Sequence, residues 1–124
     1  MYILKTRYVR KFLTKYSVPG GPVQSALKTL LDGKGVSLGG LLYKVRMGDE
    51  HKGKSGSFRT LWFWKRGELV IFCFLFAKNQ ANNLTDKEEK ALKLLAKEWN
   101  SLIPSEIDAL IAQGEFERID YEHE

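Results

Sequence analysis

The chain has 124 residues, 44% hydrophobic and 28% charged, with a formal net charge of +5. That length suits one domain with one modest core, and that apolar content excludes a disordered polymer. The longest apolar run, Leu69 to Ala77, is too short to cross a bilayer, and the opening MYILKTRYVRKF lacks the apolar stretch of a signal peptide, so a cytoplasmic protein with no membrane partner is expected.

Tyr2 to Lys5 reads as a short strand. From Arg7 to Tyr16, apolar residues recur at Tyr8, Val9, Phe12, Leu13 and Tyr16, which is helical spacing, with Arg10, Lys11 and Lys15 on the other face. Ser17 to Gly21 breaks that helix. Pro22 is placed to start a second one and Gly33 to end it, with Val23, Ala26, Leu27, Leu30 and Leu31 as the buried stripe. Gly33 to Gly40 reads as a glycine-rich loop.

Leu41 to Met47 alternates as a strand and puts Lys44 and Arg46 on one face. Gly48 to Gly56 reads as a polar loop carrying His51, Lys52 and Lys54. Ser57 to Trp64 is a strand with Phe58, Thr60, Trp62 and Trp64 on one face and Arg59, Leu61 and Phe63 on the other. Lys65-Arg66-Gly67 is a tight turn, so Glu68 to Lys78 returns antiparallel. Its nearly continuous apolar run predicts a central strand covered on both faces. Thr85-Asp86-Lys87-Glu88 is a capping box for a long helix striped by Ala91, Leu92, Leu95, Ala96, Trp99 and Leu102, and Pro104 ends it. Ser105 reads as the cap of a short helix stopped by Gly114, and Glu115 to Glu124 as extended or disordered. The expected organisation is a domain over 1–104 with an appendage over 105–124.

Charge is unevenly placed. Between Leu41 and Arg66 the cations are Lys44, Arg46, Lys52, Lys54, Arg59, Lys65 and Arg66, against Asp49 and Glu50 alone. Residues 105–124 hold seven acids against Arg118, a net −6, which leaves +11 on residues 1–104. A basic body with an acidic tail points to a polyanion-binding surface. The tail is expected either to fold near the basic cluster as an internal mimic of RNA or antitoxin or simply to solubilise the chain.

Standard enzyme motifs are mostly absent: no Walker loop, no HExxH and no Cys/His metal cluster. The single Cys73 sits in an apolar strand pattern and reads as a buried structural thiol. No cofactor is expected. RNA, however, is cleavable without metal, because its own 2′-OH is the nucleophile. The protein must align the reacting atoms, stabilise a phosphorane of increased negative charge, and move two protons. Arg and Lys suit the second task, and a Lys among other cations has a lowered pKa and suits the third. Arg59 interrupts an apolar strand, where a charge needs a partner; an ion pair with Asp49 or Glu50 is its structural alternative. Lys78 ends the most apolar strand, where snorkelling to solvent is the alternative. Trp62 and Trp64 have the chemistry to stack on bases, with core packing the commoner role.

The run GKSGSFRTLWFW, the KRG turn, ELVIFCFLFAKN, NLTDKEEKALKLLAKEW and IDALIAQGEFERI together resemble the RelE/HigB toxins of type II toxin–antitoxin systems, within the RelE/ParE superfamily. The resemblance covers nearly the whole chain. It implies a small α+β RelE-like fold, an antiparallel sheet flanked by two N-terminal helices and a C-terminal helix. It further implies a metal-independent endoribonuclease that cleaves mRNA in the ribosomal decoding site by 2′-OH attack. The implied partners are mRNA, the ribosome and a cognate helix-turn-helix antitoxin.

Carried over by position, Arg59 matches the arginine of the family's GYR strand, Lys52 and Lys54 its glycine-flanked loop, and Lys78 and Asn79 the end of its last strand. Arg59, Lys78, Lys54 and Lys52 are thereby the candidate catalytic residues, and Lys44, Arg46, His51, Asn79 and Trp62 the candidate RNA-binding residues. Phe58 replaces the usual tyrosine beside the arginine. The tyrosine that some relatives use near the C-terminal helix has no clear counterpart, so the base and the acid stay open. A non-catalytic RNA- or ribosome-binding repressor and a ParE-like gyrase inhibitor are the alternatives.

Overall fold

The computed structural model describes residues 1–49, 53–78 and 84–121, with the backbone alone at 49 and 53–56. Its elements in chain order are β1 (Tyr2–Thr6), α1 (Arg7–Lys15), α2 (Gly20–Leu31), β2 (Val36–Gly39), β3 (Leu42–Asp49), β4 (Gly53–Lys65), β5 (Leu69–Ala77), α3 (Asp86–Asn100), α4 (Pro104–Ala112) and β6 (Phe116–Arg118). Six strands form one sheet in the order β2-β3-β4-β5-β1-β6. Every pairing is antiparallel except β1 with β5. The architecture is α+β, as the resemblance implied.

Local chemistry sets the boundaries. Thr6 caps α1, its hydroxyl accepting from the Val9 N–H at 3.2 Å. The Thr85–Glu88 capping box opens α3 with both reciprocal bonds formed. Pro104 is the first residue of α4, so the cap there is Ile103 and not Ser105. Gly67, at φ +77°, supplies the left-handed residue of the β4–β5 turn.

The two apolar faces of the sheet make two cores. α2 and part of α1 cover one, where Val23, Leu27 and Leu30 meet Val45, Met47, Trp62, Trp64 and Phe72. α3 and α4 cover the other, where Leu92, Ala96, Trp99 and Ile107 meet Leu42, Leu61, Phe63, Ile71 and Cys73. β5 lies between β4 and β1 and is covered on both faces, which is why its sequence does not alternate.

Three expectations change. Val36 to Gly39, read as part of a loop, forms the short edge strand β2 paired with β3. The polar stretch 48–56 is mostly ladder: β3 runs to Asp49 and β4 starts at Gly53, with Asp49 opposite Gly53. Backbone bonds hold both extensions, and such bonds need no apolar side chain. The third change is in the tail. Phe116 to Arg118 adds β6 to the β1 edge, and Phe116 and Ile119 are buried.

This last change also corrects the charge reading. β6 lies at one edge of the sheet, whereas the basic strands β3 and β4 lie toward the other. Glu117 instead pairs with Lys5 at 3.5 Å and Arg10 at 3.6 Å, and Glu115 with Arg7 at 3.1 Å. The acids of residues 115–118 thus neutralise cations of β1 and α1, not those of β3 and β4.

Candidate nucleic-acid interface

α3 covers only part of its sheet face. Beyond Leu61, the same face continues with Lys44 and Arg46 on β3 and Arg59 on β4, because side chains two apart in a strand share a face. The register sets them side by side. Lys44 is opposite Leu61, and Arg46 is opposite Arg59. On the other flank of β4, Phe74 is opposite Leu61 and Phe76 opposite Arg59. Lys78 enters at the end of the same row, its N–H donating to the Ser57 carbonyl at 3.2 Å.

A register shift in the β4–β5 ladder makes this face. Leu61 pairs with Phe74 but Trp62 with Phe72, so β5 carries one extra residue at Cys73. Cys73 and Phe74 both belong to the α3 side, while Phe72 and Leu75 belong to the α2 side. Without the bulge, Phe74 and Phe76 would sit on the same side as Phe72.

Arg46 is exposed, and its Nη2 donates to the Ser57 Oγ at 3.3 Å. Arg59 is half-buried, and its Nη1 is fully buried with no hydrogen-bond partner among the described residues. A buried guanidinium N–H without an acceptor is costly, and two cations placed directly opposite repel. The pair is therefore an arrangement that a bound anion would stabilise. Lys44 is half-buried and Lys78 exposed.

The cluster is smaller than the sequence suggested. Lys65 and Arg66 sit at the far end of β4, roughly 20 Å from Arg59 along the strand. Lys65 pairs with Glu68 at 3.5 Å and donates to the Asn100 carbonyl, and the Arg66 guanidinium stacks 4.3 Å over the Trp64 ring. Both hold the hairpin turn.

Lys54 lies on β4, with only its backbone described, and His51, Lys52 and Asn79 fall outside the described residues. Trp62 is corrected. It is 0% exposed, stacks on Phe72 with centroids 4.3 Å apart, and donates its Nε1–H to the Thr60 Oγ1 at 2.7 Å. Thr60 in turn donates to the Val45 carbonyl at 2.7 Å. Position parity puts Trp62 on the α2 face, away from Arg59, so it offers no surface to a base.

One residue near the site escapes a sequence reading. Tyr8, which helical spacing assigns to the buried stripe of α1, is instead 49% exposed and stacks on Phe74, with centroids 5.2 Å and planes 16° apart. Burial, then the Glu88 carboxylate and Tyr16, hold its hydroxyl above the ordinary tyrosine pKa, so it stays protonated. Only the position of Tyr8 beside a bulged strand reveals this, and no local pattern announces it.

Cys73 is the opposite case. Its thiol is buried, donates to the Leu61 carbonyl at 3.2 Å, and is pushed up to about 12 by burial. It is a packing residue. Among the described residues no group of His, Cys, Asp or Glu is placed to hold a metal ion, and no helix is long and apolar enough to cross a membrane. An open depression of about 800 Å³ lies between the α1–α2 junction and residues 117–120, and three of its charged lining residues, Lys5, Arg10 and Glu117, are paired with one another.

A family model described as the RelE toxin of the RelE/RelB toxin–antitoxin system matches residues 1–119. No curated protein matches the chain. The matched span takes in all six strands, both helical layers and the opposed arginines. The chain belongs to the RelE toxin family of toxin–antitoxin systems.

Proposed function

We propose that this toxin is a ribosome-dependent endoribonuclease that cleaves mRNA in the decoding site and so stops translation. The observation that supports the reading best is the Arg46–Arg59 register pair, on the sheet face that also carries Lys44. Phosphate oxygens are the acceptors that two opposed guanidinium groups suit.

In the proposed reaction the 2′-oxygen attacks the adjacent phosphorus and loses its proton to a base. The bond from phosphorus to the 5′-oxygen breaks, and that oxygen takes up a proton. The products are a 2′,3′-cyclic phosphate and a 5′-OH end. Arg59 and Lys78 stabilise the charge that grows on the phosphorane oxygens, and Lys44 and Arg46 hold neighbouring phosphates. Lys52 and Lys54 contribute as phosphate-binding cations, one of them as the base, and His51 and Asn79 contact the RNA. No metal is invoked, because the substrate brings its own nucleophile. A cognate helix-turn-helix antitoxin would neutralise the protein.

The test is to incubate the protein with purified ribosomes holding a defined mRNA and to map new ends. New 5′-OH ends in the decoding site support the reading. Intact mRNA with the protein bound would favour a non-catalytic repressor on the same surface, and intact mRNA with gyrase inhibition would favour a ParE-like activity.

A further inference from the structure

Beside the opposed arginines the aromatic side chains form a line. Phe76 is the register partner of Arg59, and Phe74 that of Leu61. The two rings are tilted together with centroids 6.4 Å apart. Tyr8, from the first turn of α1, lies nearly flat on Phe74. Strand spacing puts Phe74 roughly 8 Å from Arg59 on the sheet, and the Tyr8 ring centroid lies 5.2 Å from that of Phe74.

We propose that Tyr8, held flat by Phe74, is the platform on which a base of the bound RNA strand stacks. The inference rests on the reading of this face as an RNA interface and names the residue that positions the base. Three features carry it. One face of the Tyr8 ring is fixed by Phe74, so a second stacked partner costs little further ordering. The residue nonetheless keeps half its surface in solvent, which core packing alone does not require. The row from Tyr8 through Phe74 and Phe76 ends at the register partner of Arg59, so the ring and the cations belong to one continuous face. Stacking on a π-face accepts every base, so Tyr8 adds affinity and register while the arginines hold the phosphate.

The test uses short single-stranded RNA oligonucleotides, each with 2-aminopurine at one position, titrated with excess protein. Wild type should quench the fluorescence. Tyr8→Ala should abolish that quenching and weaken binding by about 5- to 150-fold. Tyr8→Phe and Tyr8→Trp should retain both, which separates a stacked ring from a lost fold or a lost hydroxyl. Arg59→Ala should weaken binding of normal and abasic oligonucleotides equally, whereas Tyr8→Ala should weaken only the normal one. No quenching by wild type, wild-type behaviour of Tyr8→Ala, or failure of Tyr8→Phe would overturn the platform. Cleavage on the ribosome with no Tyr8-dependent quenching would sink the platform and leave the nuclease reading standing. Tyr8-dependent quenching with uncut mRNA would do the reverse.

Discussion

Arg46 and Arg59 are direct register partners on neighbouring antiparallel strands, with Phe76 as the next residue in the same row. Nothing described accepts from Arg59 Nη1. A fold optimised for stability alone would not place two guanidinium groups this way. Arg59→Met should therefore stabilise the free protein, by about 0.2–1 kcal/mol from relieved repulsion, while it lowers RNA affinity. Urea unfolding and an RNA titration on one preparation would check both. A loss of stability beyond about 1 kcal/mol would mark Arg59 as part of a structural ion pair instead.

Binding through this face should depend steeply on salt. For single-stranded RNA, each neutralised phosphate contributes about −0.7 to the slope of log K against log salt. Lys44→Ala, Arg46→Ala and Lys78→Ala should each make the slope shallower by about that amount. Lys65→Ala should leave it unchanged, because Lys65 is engaged at the hairpin turn. Equal effects from all four would mean a diffuse field and no defined interface.

The α2-side core contains one polar chain, from the Trp62 indole to the Thr60 hydroxyl to the Val45 carbonyl. Thr60→Val removes the acceptor and orphans a buried N–H, at a cost of about 1–3 kcal/mol. Adding Trp62→Phe should recover part of that cost, less what the smaller ring loses in packing. A double-mutant cycle with no coupling would contradict the bonded chain.

Cys73 should be inert in the native state. Its folded pKa is raised, so the folded protein keeps the thiol proton where the unfolded chain has lost it. Stability from this group is complete below the ordinary thiol pKa of 9.0 and falls as pH rises from there toward about 12. A thiol-specific chromogenic reagent at neutral pH should react only at the rate of unfolding. Rapid labelling of the native protein would refute the burial.

How far the sequence reveals this arrangement differs from element to element. The Thr85 capping box, the Lys65–Gly67 turn and the helical stripe through Leu27 and Leu30 are visible because their causes are local. The bulge at Cys73 is not, since β5 is apolar on both faces and its periodicity carries no phase information. That hidden shift decides that Phe74 and Phe76 flank Arg59. Alternation alone puts Lys44 and Arg46 on one face of their strand and Arg59 with Leu61 and Phe63 on one face of the next, and only the register shows that the two faces coincide. It cannot tell that Glu117 reaches Lys5 and Arg10, because those partners are set by tertiary pairing, whereas Lys65 and Glu68 are only three residues apart across the turn. Trp62 shows the same limit: its parity places it on a face, and only the packing of Phe72 shows that the face is buried.

The most direct measurement is the single-turnover rate of cutting of ribosome-bound mRNA by wild type, Arg59→Ala and Lys65→Ala, each shown to be folded by near-ultraviolet circular dichroism. Wild type and Lys65→Ala should produce 5′-OH ends at similar rates, and Arg59→Ala should be slower by about 10²- to 10³-fold, the usual loss when a charge-stabilising donor is removed. An Arg59→Ala rate within a few-fold of wild type would contradict the assignment of the reaction to this face of the sheet.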